Sequence, residues 1–219
     1  MAMILFLIFS IPLAFLIYIR IFFPESFTRS ETWQVFLRGL VSFLISVLPL
    51  YVIVRSYPQR YAGSALYLRA FFLDFFIILL PLILFFILWE KRKIKYEYGQ
   101  RLYFHILTFT AGFSVLAGVF YGFLYFGFYS GYLLFGYPLL LMQLLIGTVV
   151  LLYMYVITMD WKRYIFVVLP FMAALLYAVV PLLTQLSYTA YGISLCLLYT
   201  VLTALLLFVL QRKRIIPHT

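Results

Sequence analysis

The chain has 219 residues, of which 67% are hydrophobic, 22% aromatic and only 10% charged. A water-soluble domain of this length has too little interior to hide so much apolar surface. The net charge of +10 would suggest nucleic acid in a soluble protein, but here it follows membrane topology, and no nucleic-acid partner is expected.

The first apolar run, Ala2–Phe23, lacks a basic segment before it and a small-residue cleavage site after it, and it stays apolar too long for a signal peptide. It reads as a retained first span. Six more runs follow: Trp33–Val54, Ala70–Trp89, Leu102–Tyr129, Pro138–Met159, Tyr164–Leu183 and Tyr188–Leu210. Each is near the roughly 20 residues a helix needs to cross the hydrocarbon core. The expectation is an all-α membrane protein, a bundle of seven transmembrane helices with the N-terminus outside and the C-terminus cytoplasmic. Residues 1–219 form one polytopic domain of a plasma (inner) membrane protein.

Charge supports that plan. Thirteen of the lysines and arginines fall on the inner side and three, Arg55, Arg60 and Arg69, on the outer side. Trp33, Trp89 and Trp161 all land at the inner boundary, where amphipathic rings prefer to lie.

Before the second span, Thr28-Arg-Ser-Glu31 matches a capping box, which would start that helix on the cytoplasmic surface. The span then carries Gln34, Arg38, Ser42 and Ser46 at four-residue spacing. Such a strip drifts by about 40° per step and should face the bundle rather than lipid. It is either packing glue, with serines bonding back to their own helix, or the wall of a ligand cavity.

The third span holds one acid, Asp74, in an otherwise apolar run. Arg69 is five residues away, about 140° around a helix, so Arg55 at the outer end of the second span is the better partner. The reading is an ion pair at the outer rim, with a ligand or gate contact as the alternative. The next connection, near Glu90–Arg101, contains Lys91, Arg92, Lys93 and Lys95. This basic patch is a topology determinant, and it also suits anionic lipid at the cytoplasmic face or an acidic partner.

The fourth span carries a small-residue ladder of Thr110, Ser114, Gly118 and Gly122, whose spacing recurs at Gly127 and Gly131. Small faces let helix backbones approach closely, so the ladder can mate with a helix of this chain or of another protein. Tyr121, Tyr125 and Tyr129 beside it belong to the interfacial belt. His105, at the inner end of the span, reads as interfacial. In the fifth span Gln143 lies about as deep as Asp74, and with Asp74 and Arg55 it would frame a shallow outward-facing site. Pro12, Pro49, Pro81 and Pro170 lie within spans and invite kinks.

Chemistry-bearing sets are missing from the sequence. Cys196 is the only cysteine, and no span carries a His-rich or acid-rich group. A haem pair, a zinc protease and a di-metal site are therefore unsupported. There is no Gly-x-Ser-x-Gly elbow, and the last span has no lysine to carry retinal, which excludes the rhodopsin plan. No cofactor, metal or catalytic residue is expected. The expected function is a non-enzymatic helical subunit docked with other membrane protein subunits in a larger assembly. The alternative is a small permease or receptor for a weakly polar or lipidic molecule.

Overall fold

A computed structural model describes residues 29–55, 67–68, 70–93, 99–125, 131–158, 160–185 and 188–212, together with Ile17. Six helices account for almost all of them: α1 (Arg29–Arg55), α2 (residues 70–93), α3 (Gly99–Tyr125), α4 (Gly131–Ile157), α5 (residues 161–185) and α6 (Thr189–Arg212). There is no strand among the described residues. In order, these helices occupy the second to seventh apolar runs, while the run Ala2–Phe23 lies outside the described residues apart from Ile17. One stretch, Leu140–Ile157 of α4, is long and apolar enough to cross a membrane by length and composition, with a mean hydropathy of 2.3.

The closest approach in the bundle is between α1 and α3. A Cβ placed on Gly39 would collide with the carbonyl oxygen of Phe109 and stand 2.9 Å from the backbone nitrogen of Phe113. One placed on Gly112 would collide with the carbonyl of Phe36 and stand 2.8 Å from its carbon. The two helices thus touch backbone to backbone, which only glycine permits. They run parallel, because contacts advance together along both: Glu31 meets Arg101 at 3.4 Å, and further along Phe43 meets Phe113 edge-on with ring centroids 5.1 Å apart.

Helix α2 runs antiparallel to α3. Phe86 packs on Phe109 with centroids 6.2 Å apart, and one turn further toward the same end Glu90 meets His105 at 2.8 Å. The buried stripe of α2 reads Phe75, Leu79, Leu82, Phe86, Glu90, steps of three and four that keep one face inward. The helix is widened to π geometry at Ala70–Phe76 and again at Phe86–Glu90, on either side of the α-helical Ile77–Phe85. Pro81, inside that α-helical segment, offers no N–H to the carbonyl of Ile77.

Helix α5 breaks once. Its α-helix Ile165–Tyr177 stops at Ala178 and resumes as Val179–Gln185. Pro181, four residues after Tyr177, has no N–H to offer that residue's carbonyl. Two neighbouring tyrosines donate to carbonyls at the bend: Tyr67 Oη to Leu175 O at 2.8 Å and Tyr199 Oη to Leu176 O at 3.3 Å. In an apolar setting such donors are what make a broken helix tolerable.

Burial is confined to the inward stripes. The outward faces stay apolar: Val168, Met172 and Leu176 on α5, and Leu198, Val201 and Leu205 on α6, are all exposed.

Gly39→Ala and Gly112→Ala should each destabilise the fold by about 1–3 kcal/mol or more, because a backbone carbonyl cannot rotate away as a side chain can. Gly147, whose added Cβ meets nothing within 4 Å, is the control: Gly147→Ala should be neutral or stabilise by about 0.5–1 kcal/mol. Thermal unfolding of the three variants in one detergent would compare them. Equal melting temperatures for Gly39→Ala and Gly147→Ala would refute the close crossing.

Candidate functional site

The most unusual side chain in the interior is Glu90, a carboxylate with 0% exposure at the end of the buried stripe of α2. Arg38 of α1 places Nη1 3.2 Å from Oε1, and His105 of α3 places Nε2 2.8 Å from Oε2. A carboxylate can only accept, so the imidazole donates through Nε2. Arg38 is the least buried of the three, its side chain 24% exposed, and its Nε also donates to the carbonyl of Gln34 one turn back, at 3.2 Å. Three helices therefore converge on one acid. An isolated carboxylate here would cost several kcal/mol, and a cation plus a hydrogen-bond donor are what offset that penalty.

Sequence analysis assigned Glu90 to the connection before Arg101. That assignment is corrected: helix α2 continues to Lys93, with Glu90 inside the bundle. His105, expected at an interface, lies in the second turn of α3 and is only 4% exposed.

The strip on α1 behaves as packing. Ser42 donates to the carbonyl of Arg38 at 2.7 Å and Ser46 to that of Ser42 at 2.5 Å, each satisfied within its own helix. Gln143 is buried in α4 and donates through Nε2 to Thr200 of α6 at 2.5 Å, which ties those two helices together. Thr110 and Ser114 of the small-residue ladder are fully buried within this chain. Lys91 and Arg92 lie at the inner end of α2. The side chains of Arg55, Asp74 and Lys93 lie outside the described residues, as do Lys95 and Gly127. For Gly118, Gly122 and Gly131 only membership of a helix is described.

A second cluster stands next to Glu90. The Nζ of Lys91 donates to the hydroxyl of Tyr155, at the end of α4, at 3.2 Å and sits 4.3 Å from its ring centroid. The turn Trp161–Tyr164 that opens α5 brings Arg163 against it: Nη2 donates to the hydroxyl of Tyr164 at 3.0 Å, and the guanidinium lies 5.9 Å from the Tyr155 centroid. On the outer face of α2, Leu84, Phe85, Leu88, Trp89 and Arg92 border an open groove of about 530 Å³. Among the described residues, no three His, Cys, Asp or Glu side chains gather as a metal site.

Comparison with protein families, curated proteins and solved structures found no match. The site therefore has to be read from its own chemistry, and that chemistry is bracing. The carboxylate is shielded from water and engaged by two other helices.

Glu90→Ala should lower stability by about 3 kcal/mol, the order expected when one partner of a buried pair is removed. Arg38→Ala should cost less, since its head is partly in solvent. The double variant should cost clearly less than the sum of the two, as expected for side chains in direct contact. Additive losses in thermal unfolding would show that the two side chains do not interact.

Proposed function

We propose that this protein is a non-enzymatic multi-pass membrane protein, a helical subunit that docks with other membrane proteins through the outer faces of its helices. The observation that carries the reading is the engagement of the α1 strip. Ser42 and Ser46 donate to carbonyls of their own helix and Arg38 turns to the buried Glu90 of α2, so the residues best suited to line a solute passage already have partners within the protein.

Several features support membrane residence. Exposed leucines, isoleucines, valines and phenylalanines run along α1, α5 and α6, a surface that water would not tolerate. Glu31, Arg38, Glu90, Lys91, Arg101, His105 and Arg163 are brought to one end of the bundle by their mutual contacts and by Tyr155, and this is the end that the positive-inside bias assigns to the cytoplasm. Seven spans with the N-terminus outside fit that bias.

Docking follows from what is left over. The connections between described helices from α2 onward are short, residues 94–98, 126–130 and 186–187 among them, too short to form a domain outside the membrane. In the core, Glu90 is engaged by Arg38 and His105, and Gln143 by Thr200. Lateral surfaces and rims remain as the parts able to act on something else.

A crosslinked pull-down of the tagged protein at native abundance, followed by mass spectrometry, tests this. The expected result is a stoichiometric membrane partner whose recovery falls several-fold when Leu198 and Leu205 on the exposed face of α6, or Gly118 on α3 (as Gly118→Leu), are replaced. A partner-free protein that binds a small solute saturably, with loss on Ser42→Ala, would instead make it a permease or receptor.

A further inference from the structure

The groups around Tyr155 share one property: all of them donate. Lys91 carries an ammonium and Arg163 a guanidinium, and both lie against the same ring, at 4.3 and 5.9 Å from its centroid. The hydroxyl of Tyr155 accepts from Lys91, and the hydroxyl of Tyr164 accepts from Arg163. Each phenol therefore has its own proton left to give, and a hydroxyl that accepts from a cation becomes a stronger donor. The Nε of Arg163 is buried with no hydrogen-bond partner. Among the described residues no carboxylate lies within ion-pair distance of Lys91 or Arg163. Among the described residues the two cations are thus met by phenol hydroxyls and by no anion.

Their setting narrows what acceptor they would take. Trp161 is 75% exposed at the start of the same turn, and Ile165 and Val168, also exposed, continue from it along α5. Indole rings favour the headgroup level of a bilayer, and an apolar helix face below it favours acyl chains. We infer that Lys91, Tyr155, Arg163 and Tyr164 form a seat for the phosphate of an anionic phospholipid of the inner leaflet, with its acyl chains lying along Ile165 and Val168. Arginine and tyrosine match the tetrahedral acceptor by directed hydrogen bonds, and lysine adds a point charge. The seat joins α2, α4 and α5 at one rim, so a bound lipid would bridge three helices. The inference rests on the membrane residence argued above, but not on the docked-subunit reading, because the isolated protein suffices to test it.

The purified full chain would be placed in nanodiscs of phosphatidylcholine with a minor share of phosphatidylglycerol, and the lipids retained on release would be counted by native mass spectrometry. Wild type should retain phosphatidylglycerol selectively. Lys91→Gln combined with Arg163→Gln should weaken that preference by about thirtyfold, roughly fivefold for each cation at a membrane surface. Tyr164→Phe should weaken it less, and Arg163→Lys should keep most of it. Helicity and melting temperature of each variant would confirm that folding is intact, and a variant that fails this check would be replaced by Tyr164→Phe alone. Equal retention by wild type and the double variant would overturn the inference. So would stabilisation by inorganic phosphate in pure phosphatidylcholine discs that matches that by phosphatidylglycerol, since the seat would then take a free anion.

Discussion

Two helix backbones meet with no side chain between them where Gly39 passes Phe109 and Gly112 passes Phe36. That contact sets the distance between α1 and α3, and much of the bundle takes its dimensions from it. The rings of Phe43 and Phe113 interlock beyond it. Toward the inner end, Arg38 follows directly from the crossing and His105 sits two turns before Gly112, so both can reach a carboxylate offered by a third helix. On the membrane reading proposed above, no aqueous driving force would pull these helices together, and close packing of this kind would have to supply it.

Burial of Glu90 follows the same economy of polar groups that governs the rest of the interior. Serines bond back to carbonyls, Gln143 finds Thr200, and the bend in α5 receives the hydroxyls of Tyr67 and Tyr199. A buried ion pair is weak as a source of stability, because desolvation offsets attraction. It is strong as a constraint, since an acid at that position tolerates few arrangements of its neighbours. The triad therefore defines which faces of α1, α2 and α3 meet, while apolar packing supplies most of the affinity between them.

Much of this was legible in the sequence. Six of the seven apolar runs coincide with described helices, because composition alone decides which stretches avoid water, although α4 begins at Gly131, seven residues before Pro138. The four-residue spacing from Gln34 to Ser46 does not mark one inward face: Ser42 is buried and Arg38 and Ser46 are half-buried, but Gln34 is exposed, because such a strip drifts around the helix. Glu90 was missed because a charge beside Lys91, Arg92 and Lys93 reads as the end of a span. The signal was present all the same: Glu90 continues the three-and-four spacing of Phe75, Leu79, Leu82 and Phe86, and it shares an inner depth with the otherwise unpartnered Arg38. Gly39 and Gly112 were passed over for the longer ladder from Thr110. A repeat of small residues marks a face that can pack closely, but single glycines on two helices do so only when register brings them together, and register is not written in either helix alone. The break at Ala178 could have been read from Pro181. The tyrosines that satisfy it lie far away in sequence, and only the fold brings them there.

The order in which the chain is made gives the buried acid a further role. Arg38 is synthesised before Glu90, and His105 follows Glu90 by 15 residues. On the membrane reading proposed above, a lone carboxylate entering the bilayer would meet a barrier of roughly 2.5–3.5 kcal/mol at the centre, less toward the rim. With Arg38 already in place, the second helix of the pair finds its counter-ion on arrival, and the imidazole closes the group once the third helix enters. The triad thus favours assembly from the N-terminal side, with each helix prepared by the one before it.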